Sequence, residues 1–335
     1  KEREEQSVLA TDSGNFIHEL LEKTAKRFEE AKTESEIRKA AESVGNELLK
    51  KPPYCYSCDT LSGEYAQKRL LLEGVEAAAA AFRQVKGSLY RVAETEKSVE
   101  TADFRGKIDR VDISGDFIRI IDYKTGKVDE KVKDEKFYTG QNLQLYLYMN
   151  AFVRNGEDPA GAYYYAVNDS FRRSGEDETP MAGKTLSSDE IIDATDKNAR
   201  ANGKSSVIDY KISKKTGKPG GSTCDDHTLR GYMKYAKKLA EKAVSDITDG
   251  VIVASPYEKS CDYCEYGAIC GYDEEAGYKE RKVSYVNSKT IVEAAYGEDS
   301  ATMSETAGTK PETAGTKPET DKGTIKKDKG DENDG

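Results

Sequence analysis

Two aspartates and a lysine in the middle of the chain have the types and spacing that could hold a divalent metal ion. Asp122 and Lys124 are two residues apart, so on a strand their side chains point to the same face. If Gly115 and Asp116 form a two-residue turn, the strand before the turn places Asp109 opposite Asp122. Facing carboxylates favour Mg²⁺ or Mn²⁺, and a neighbouring lysine can stabilise charge that develops on a phosphate ester during hydrolysis.

The same four letters, Ile-Asp-Tyr-Lys, occur twice, at residues 121–124 and again at 208–211. The second copy has no acidic strand before it that a tight turn could pair with it. It is followed by lysines, glycines and serines over 211–223, which predict a loop. We therefore expect the second copy to be a coincidence without chemistry.

The elements around Asp109 and Asp122 follow from hydrophobic periodicity. Three amphipathic helices come first, the earliest with Ser13 as its N-cap, and strands rich in β-branched and aromatic residues follow. The predicted helices cover 14–31, 35–49, 62–87, 141–152, 187–202 and 227–249, and the predicted strands cover 94–99, 104–113, 117–123 and 161–167. This order predicts an α/β fold, with a mixed β-sheet flanked by helices.

Composition limits the class of protein. The net charge of −10 argues against a surface that binds nucleic acid everywhere, although it allows a local basic groove. No apolar run is long enough to cross a bilayer, so we expect an intracellular protein without a membrane partner. The chain begins with Lys1 rather than Met, which suggests a fragment of something longer.

The six cysteines indicate a metal site rather than a disulfide framework. Cys261, Cys264 and Cys270 lie within ten residues of one another, and three thiolates need a fourth ligand to complete a zinc or iron–sulfur site. Cys55-x-x-Cys58 could join the first two in a four-cysteine zinc site. The spacing alone leaves both solutions open.

Several motifs in one order resemble the RecB-like branch of the PD-(D/E)XK nucleases, and with the cysteine run they look most like the AddB-type nuclease domains of bacterial helicase-nucleases. The resemblance covers residues 14–273. The motifs are Gly14-x-x-x-His18, the run GKIDRVDISGDFIRIIDYKTG at 106–126, Gln144-x-x-x-Tyr148 and the cysteine spacing.

The resemblance implies a restriction-endonuclease-like core and a site that cuts DNA. It implies that Asp109, Asp122 and His18 bind the metal, with the carbonyl of Tyr123 facing it, and that Lys124 is catalytic. The family's upstream acidic residue falls on Glu96, with Glu94 nearby. Gln144 and Tyr148 would orient the active site or the DNA backbone. The other histidine, His227, is expected in a capping turn.

The resemblance also implies a [4Fe-4S] cluster bound by Cys261, Cys264 and Cys270, with a fourth cysteine upstream of the His18 helix and therefore outside this chain. Cys55, Cys58 and Cys224 are then ordinary thiols, unless one of them replaces that fourth ligand.

Implied partners are linear DNA ends, with single strands reaching the site, and an AddA-type helicase-nuclease, in double-strand break repair in the bacterial cytoplasm at the nucleoid. The alternatives are a stand-alone iron–sulfur exonuclease of the CRISPR-associated type and a catalytically silent DNA-binding scaffold.

The predicted organisation has three parts. Residues 1–278 form the nuclease domain with the cysteine motif at 261–270, residues 279–297 form an extension, and residues 298–335 form a tail. The tail contains a near-duplicate, ETAGTKPETAGTKPET, and has too few apolar residues to order itself, so we expect it to be disordered.

Overall fold

The computed structural model describes residues 10–57, 61–153, 156–167, 180–262, 264–273, 279–283 and 285–297. The described residues fall into two compact units. One contains the residues up to Val253 together with those from Lys282 onward, and the other contains the residues between Ala254 and Arg281. The predicted tail at 298–335 and Cys58 lie outside the described residues.

A six-stranded sheet forms the centre of the first unit, in the order β1-β2-β3-β4-β5-β8. Its β1, β2 and β3 are antiparallel neighbours, β3 runs parallel to β4, β4 antiparallel to β5, and β5 parallel to β8. The predicted mixed sheet is therefore confirmed. The strands are β1 Arg91–Glu100, β2 Arg105–Ser114, β3 Phe117–Lys124, β4 Asp158–Ala166, β5 Ala182–Leu186 and β8 Thr223–Cys224, and a separate pair consists of β6 Tyr210–Ile212 and β7 Pro219–Gly221.

Helices cover both faces of this sheet. They are α1 Ala10–Ala25, α2 Glu34–Leu48, α3 Leu61–Lys86, α4 Asp134–Tyr138, α5 Gln144–Val153, α6 Asp189–Thr195, α7 Ala199–Asn202, α8 Asp226–Thr248 and α9 Ser288–Tyr296, with a short 3₁₀ helix at Tyr54–Ser57. None of the helices in the described part of the chain combines the length and apolar character needed to cross a membrane.

The two faces of β3 belong to two different hydrophobic cores. Ile121 and Tyr123 pack into a core with α1, α2 and α3, whereas Ile118 and Ile120 pack into a core with α5, α8 and α9. This alternation follows from the period of two along a strand. Asp122, between Ile121 and Tyr123 in sequence, therefore points to the α5 side.

Three local predictions were wrong. Ser13 lies inside α1 rather than at its N-cap. The helix predicted over 187–202 is split into α6 and α7, because Asp196 adopts an extended backbone and its carboxylate accepts hydrogen bonds from Ser205 and Ser206. The loop predicted over 211–223 contains β7, β8 and most of β6, because its glycines and Pro219 allow a tight hairpin.

Candidate metal centre

A tight turn brings Asp109 and Asp122 together, in the register expected from the sequence. Gly115 has φ +58°, the left-handed conformation that such a turn requires and that glycine adopts without strain. The β2–β3 ladder runs from Ser114↔Phe117 to Arg110↔Ile121, which places Asp109 opposite Asp122 one step further along. There the Asp109 carboxylate replaces a ladder bond by accepting the Tyr123 backbone N–H at 2.6 Å.

Glu96 reaches Asp109 from the other neighbouring strand. The β1–β2 register pairs the residues on either side of Glu96 and Asp109, so these two lie opposite each other. Glu96 has φ +51°, which is rare for a residue with a side chain and is typical of strained backbone at functional sites. Its carboxylate bonds Lys107 at 2.6 Å. The neighbouring Glu94 is exposed and pairs with Lys97 instead.

His18 completes the group from α1. Its Nδ1 lies 3.2 Å from Asp109 Oδ1, and its ring packs edge-on against Tyr123 with centroids 5.7 Å apart. Ligand atoms of His18, Glu96 and Asp109 lie within 4.8 Å of one another, and no other such group of three His, Cys, Asp or Glu occurs among the residues that the structure describes. One imidazole and several carboxylates match the ligand preferences of Mg²⁺ and Mn²⁺.

The electrostatics of the group favour a bound cation. Burial, followed by the negative charge of Asp109, raises the pKa of Asp122 to about 6, although Lys124 and His18 counteract this. Burial lowers the pKa of His18, but its hydrogen bond to Asp109 and the charges of Asp109, Asp122 and Glu96 outweigh that effect and raise it. Both shifts indicate a surplus of negative charge that a divalent ion would neutralise.

Lys124 is held in place by neighbours on two elements. It forms an ion pair with Asp122 and donates a hydrogen bond to Gln144 Oε1 at 3.3 Å. Gln144 donates in turn to the Tyr148 hydroxyl at 3.1 Å, which also accepts the backbone N–H of Lys107 at 3.3 Å. The structure thus places Gln144 and Tyr148 on the site face of α5, beside Lys124.

Gly106 explains why Tyr148 can approach β2. A Cβ atom on Gly106 would lie 2.6 Å from the Tyr148 hydroxyl oxygen, so a larger residue would push the tyrosine away. The glycine three residues before Asp109 therefore keeps α5 against the strand that carries Asp109. Its position in the GKID run was visible in the sequence, but its contact with Tyr148 was not.

A buried ion network supports Tyr123 from behind. Arg110 and Arg119, both fully buried, share the carboxylate of Asp112, with nitrogen–oxygen distances of 3.0 and 2.9 Å. Arg110 also donates to the Tyr123 hydroxyl at 3.5 Å, and Arg119 lies 4.2 Å from the Tyr90 ring centroid. Removing one charge from such a network leaves the others uncompensated in the core, so the network fixes the strand that carries Asp122.

Two lysines near the site were not singled out from the sequence. Lys107 bonds Glu96, and its place two residues before Asp109 on the same strand face could have revealed it. Lys131 follows β3 in a loop and is half-buried, and its burial, then the charge of Lys124, lower its pKa. No periodic signal marks Lys131, because its position depends on the path of the loop.

The second Ile-Asp-Tyr-Lys copy forms no comparable group. Asp209 is exposed, and Tyr210 and Lys211 belong to β6, which pairs with β7 rather than with the central sheet. His227 lies in the first turn of α8 and stacks on Tyr296, and the N-cap there is Asp225, which accepts the Thr228 N–H.

In the second unit, Cys261, Cys264 and Cys270 are exposed along a series of turns. The Tyr272 N–H donates to Cys270 Sγ at 3.4 Å. Partial desolvation and then the charges of Glu280, Cys264 and Cys270 raise the pKa of Cys261, so the three thiols lie close enough to influence one another. They fit three of the four thiolate positions of an iron–sulfur site.

The remaining described cysteines lie in the first unit. Cys55 belongs to the 3₁₀ helix, and Cys224 lies on β8 with its thiol donating to the Thr185 carbonyl at 3.7 Å. Burial raises the pKa of Cys224 to about 12. A thiol held protonated is a poor metal ligand, which disfavours Cys224 as a fourth ligand.

Comparison with known proteins gives one family and a consistent set of relatives. The family model described as the PD-(D/E)XK nuclease superfamily matches residues 1–271. The chain is also similar to bacterial proteins that are named as one of the subunits of an ATP-dependent helicase/deoxyribonuclease. The protein from Ruminiclostridium cellulolyticum is 31% identical over 198 residues, 50% of this chain and 17% of its own length. The protein from Thermoanaerobacter sp. is 28% identical over 343 residues, 86% of this chain and 29% of its own length. The chain thus spans less than a third of these relatives.

Proposed function

The chain belongs to the PD-(D/E)XK nuclease superfamily, and on that premise we propose that it hydrolyses DNA phosphodiester bonds with a divalent metal ion held by His18, Asp109 and Asp122. Glu96 and the carbonyl of Tyr123 are the further proposed ligands. The observation that carries this proposal is the convergence of His18, Glu96 and Asp109 within 4.8 Å, next to the Asp122–Lys124 ion pair.

The proposed ion is Mg²⁺ or Mn²⁺. When bound, it would supply an activated water and neutralise charge on the phosphate oxygens. The side chains provide the rest. The Tyr123 N–H and His18 orient Asp109, so that its carboxylate is positioned before any ligand binds. Such preorganisation is what makes charge stabilisation effective in a site.

Lys124 is the proposed catalytic lysine. Its ammonium, fixed between Asp122 and Gln144, would stabilise negative charge on the reacting phosphate. Gln144 and Tyr148 act in this proposal as positioning residues, because they touch Lys124 and the backbone of β2. Lys107, paired with Glu96, would hold that carboxylate towards the ion.

The wider setting is also a proposal. The relatives are named as subunits of an ATP-dependent helicase/deoxyribonuclease. We infer that the chain is the nuclease part of such a protein, of the AddB type, works with an AddA-type partner on linear DNA ends, and serves break repair in the bacterial cytoplasm. The three cysteines of the second unit would bind a structural [4Fe-4S] cluster with a fourth cysteine from outside this chain.

The second Ile-Asp-Tyr-Lys copy provides a matched control for the test. Asp122→Asn should reduce Mg²⁺-dependent cleavage of linear DNA at least about a thousandfold, because it removes a ligand charge from the site. Asp209→Asn makes the same chemical change on an exposed residue and should leave the cleavage rate within about twofold of the original.

DNA binding, measured in EDTA by fluorescence anisotropy, should persist in both variants. Cleavage that survives Asp122→Asn would refute the assigned site. Binding without any cleavage by the unaltered protein would favour the silent scaffold.

A further inference from the structure

The β6–β7 hairpin carries an unusual concentration of positive charge. Residues 210–221, here called the basic hairpin, contain four lysines and no acidic residue, in a chain with a net charge of −10. Lys211, Lys214, Lys215 and Lys218 are all exposed. Among the described residues, none of the four has a carboxylate within 4.0 Å.

Lysines elsewhere on this unit behave differently. Many exposed lysines on the helices form an ion pair with an acidic residue one turn away, including Lys68 with Glu64 and Lys242 with Asp246. Those pairs cancel charge locally and indicate ordinary solvated helix faces. The uncompensated charge of the basic hairpin is therefore a local feature rather than a property of the whole surface.

The basic hairpin is a fixed frame rather than a loose tail. Its strands pair from Tyr210↔Gly221 to Ile212↔Pro219, and the turn is closed by the Ser213 N–H donating to the Lys218 carbonyl at 2.9 Å. Tyr210 is fully buried and donates to the Ile192 carbonyl at 3.3 Å. A surface groove of about 570 Å³ runs along the hairpin.

The strand registers place the basic hairpin at the same end of the sheet as the metal centre. Asp122 pairs with Tyr164, and Tyr164 with Ala182. The residue before Ala182, Met181, forms a parallel bridge to Ile208, two residues before the hairpin begins. Three strand spacings of about 4.8 Å separate Asp122 from Ile208 by roughly 15 Å. A DNA strand in a duplex spans that distance with about four phosphates.

We propose that the basic hairpin is a second DNA-binding site, which holds the phosphate backbone roughly 15 Å from the metal centre. This inference rests on the proposed function and names a further contact for the same substrate. Four ammonium groups on a fixed frame suit the repeated charges of a nucleic-acid backbone and need no particular base sequence. The hairpin would keep DNA engaged between successive cuts.

The test compares two fourfold variants that remove the same charge. The hairpin variant carries Lys211→Gln, Lys214→Gln, Lys215→Gln and Lys218→Gln. The control variant carries Lys68→Gln, Lys237→Gln, Lys242→Gln and Lys289→Gln, each at a lysine that pairs with an acidic residue one helical turn away.

Affinity for a single-stranded oligonucleotide would be measured in EDTA by fluorescence anisotropy over a range of salt concentrations. If all four lysines contact phosphates, the slope of log K against log salt should become shallower by about 2 to 3, since each contact contributes roughly 0.7. The control variant should change the slope by less than about 1. Thermal unfolding checks that both variants are folded.

The outcomes separate this inference from the proposed function. Equal slopes for the hairpin and control variants overturn the hairpin site, even if the unaltered protein cleaves DNA. A shallower slope for the hairpin variant supports the site, even if the unaltered protein cuts nothing and the proposed function fails. If the hairpin variant keeps its DNA slope but loses binding to polyglutamate, the surface fits an acidic protein instead, and the inference is wrong.

Discussion

The two Ile-Asp-Tyr-Lys copies show how the same four residues acquire different roles from their surroundings. In the first copy, Asp122 is 1% exposed and lies beside Asp109, Lys124 and the α5 helix. In the second, Asp209 is exposed on a two-stranded hairpin. The difference comes from what each copy pairs with, because the first lies on a central strand between two acidic neighbours and two cores.

The lysines of the two copies should affect different kinetic constants, and this is the largest effect that we expect from the comparison. Lys124→Met should lower kcat by roughly a hundred- to a thousandfold and change KM little, because it removes charge stabilisation from the reacting phosphate. Lys211→Met should raise KM modestly and affect kcat little, because one backbone contact is lost. Steady-state cleavage of a labelled oligonucleotide in Mg²⁺ measures both constants.

A fall in kcat for Lys211→Met, or an unchanged kcat for Lys124→Met, would contradict this division. Lys124→Arg sharpens it, because arginine keeps the charge but cannot reproduce the compact ammonium between Asp122 and Gln144. We expect that variant to recover only a small part of the lost rate.

The fold and the site were predictable from the sequence to different degrees. The Gly115 turn and the period of two fixed the Asp109–Asp122 register, because both signals are local. The choice of Glu96 over Glu94 depends on the β1–β2 register and on a positive φ, neither of which the sequence displays. Helix α9 was missed because its residues Ile291 and Ala295 find their partners only after the chain returns to α8.

The two aspartates should differ in their effect on stability, by a smaller amount. The pKa of Asp122 rises from 3.8 to about 6 in the folded protein, so the folded state holds a proton there that the unfolded state releases. Without metal, its contribution is present below about pH 4 and is lost as the pH rises through 6, a change of about 3 kcal/mol. Asp122→Asn should remove this pH dependence.

Urea unfolding in EDTA between pH 4 and pH 7.5 measures this difference. The gap between Asp122→Asn and the unaltered protein should grow with pH in favour of the variant, whereas Asp209→Asn should run parallel to the unaltered protein. His18, whose pKa is also raised, contributes in the same direction and leaves a residual slope in both. Parallel curves for all three proteins would show that Asp122 carries no buried charge.

The tyrosines should reveal what the two copies share, and they give the smallest effect. Tyr123 and Tyr210 both turn away from the aspartate and lysine into the same core, where Tyr123 accepts a hydrogen bond from Arg110 and Tyr210 donates to the Ile192 carbonyl. Replacing either by phenylalanine should lower the free energy of unfolding by about 1 kcal/mol. Neither replacement should change kcat by more than about twofold, since the Tyr123 contact to Asp109 uses the backbone N–H. A large loss of kcat in Tyr123→Phe alone would mean that its hydroxyl, through Arg110, also tunes the metal centre. Equal small losses of stability would mean that the tyrosine anchors the strand in both copies, and that the chemistry depends only on what lies on the opposite face.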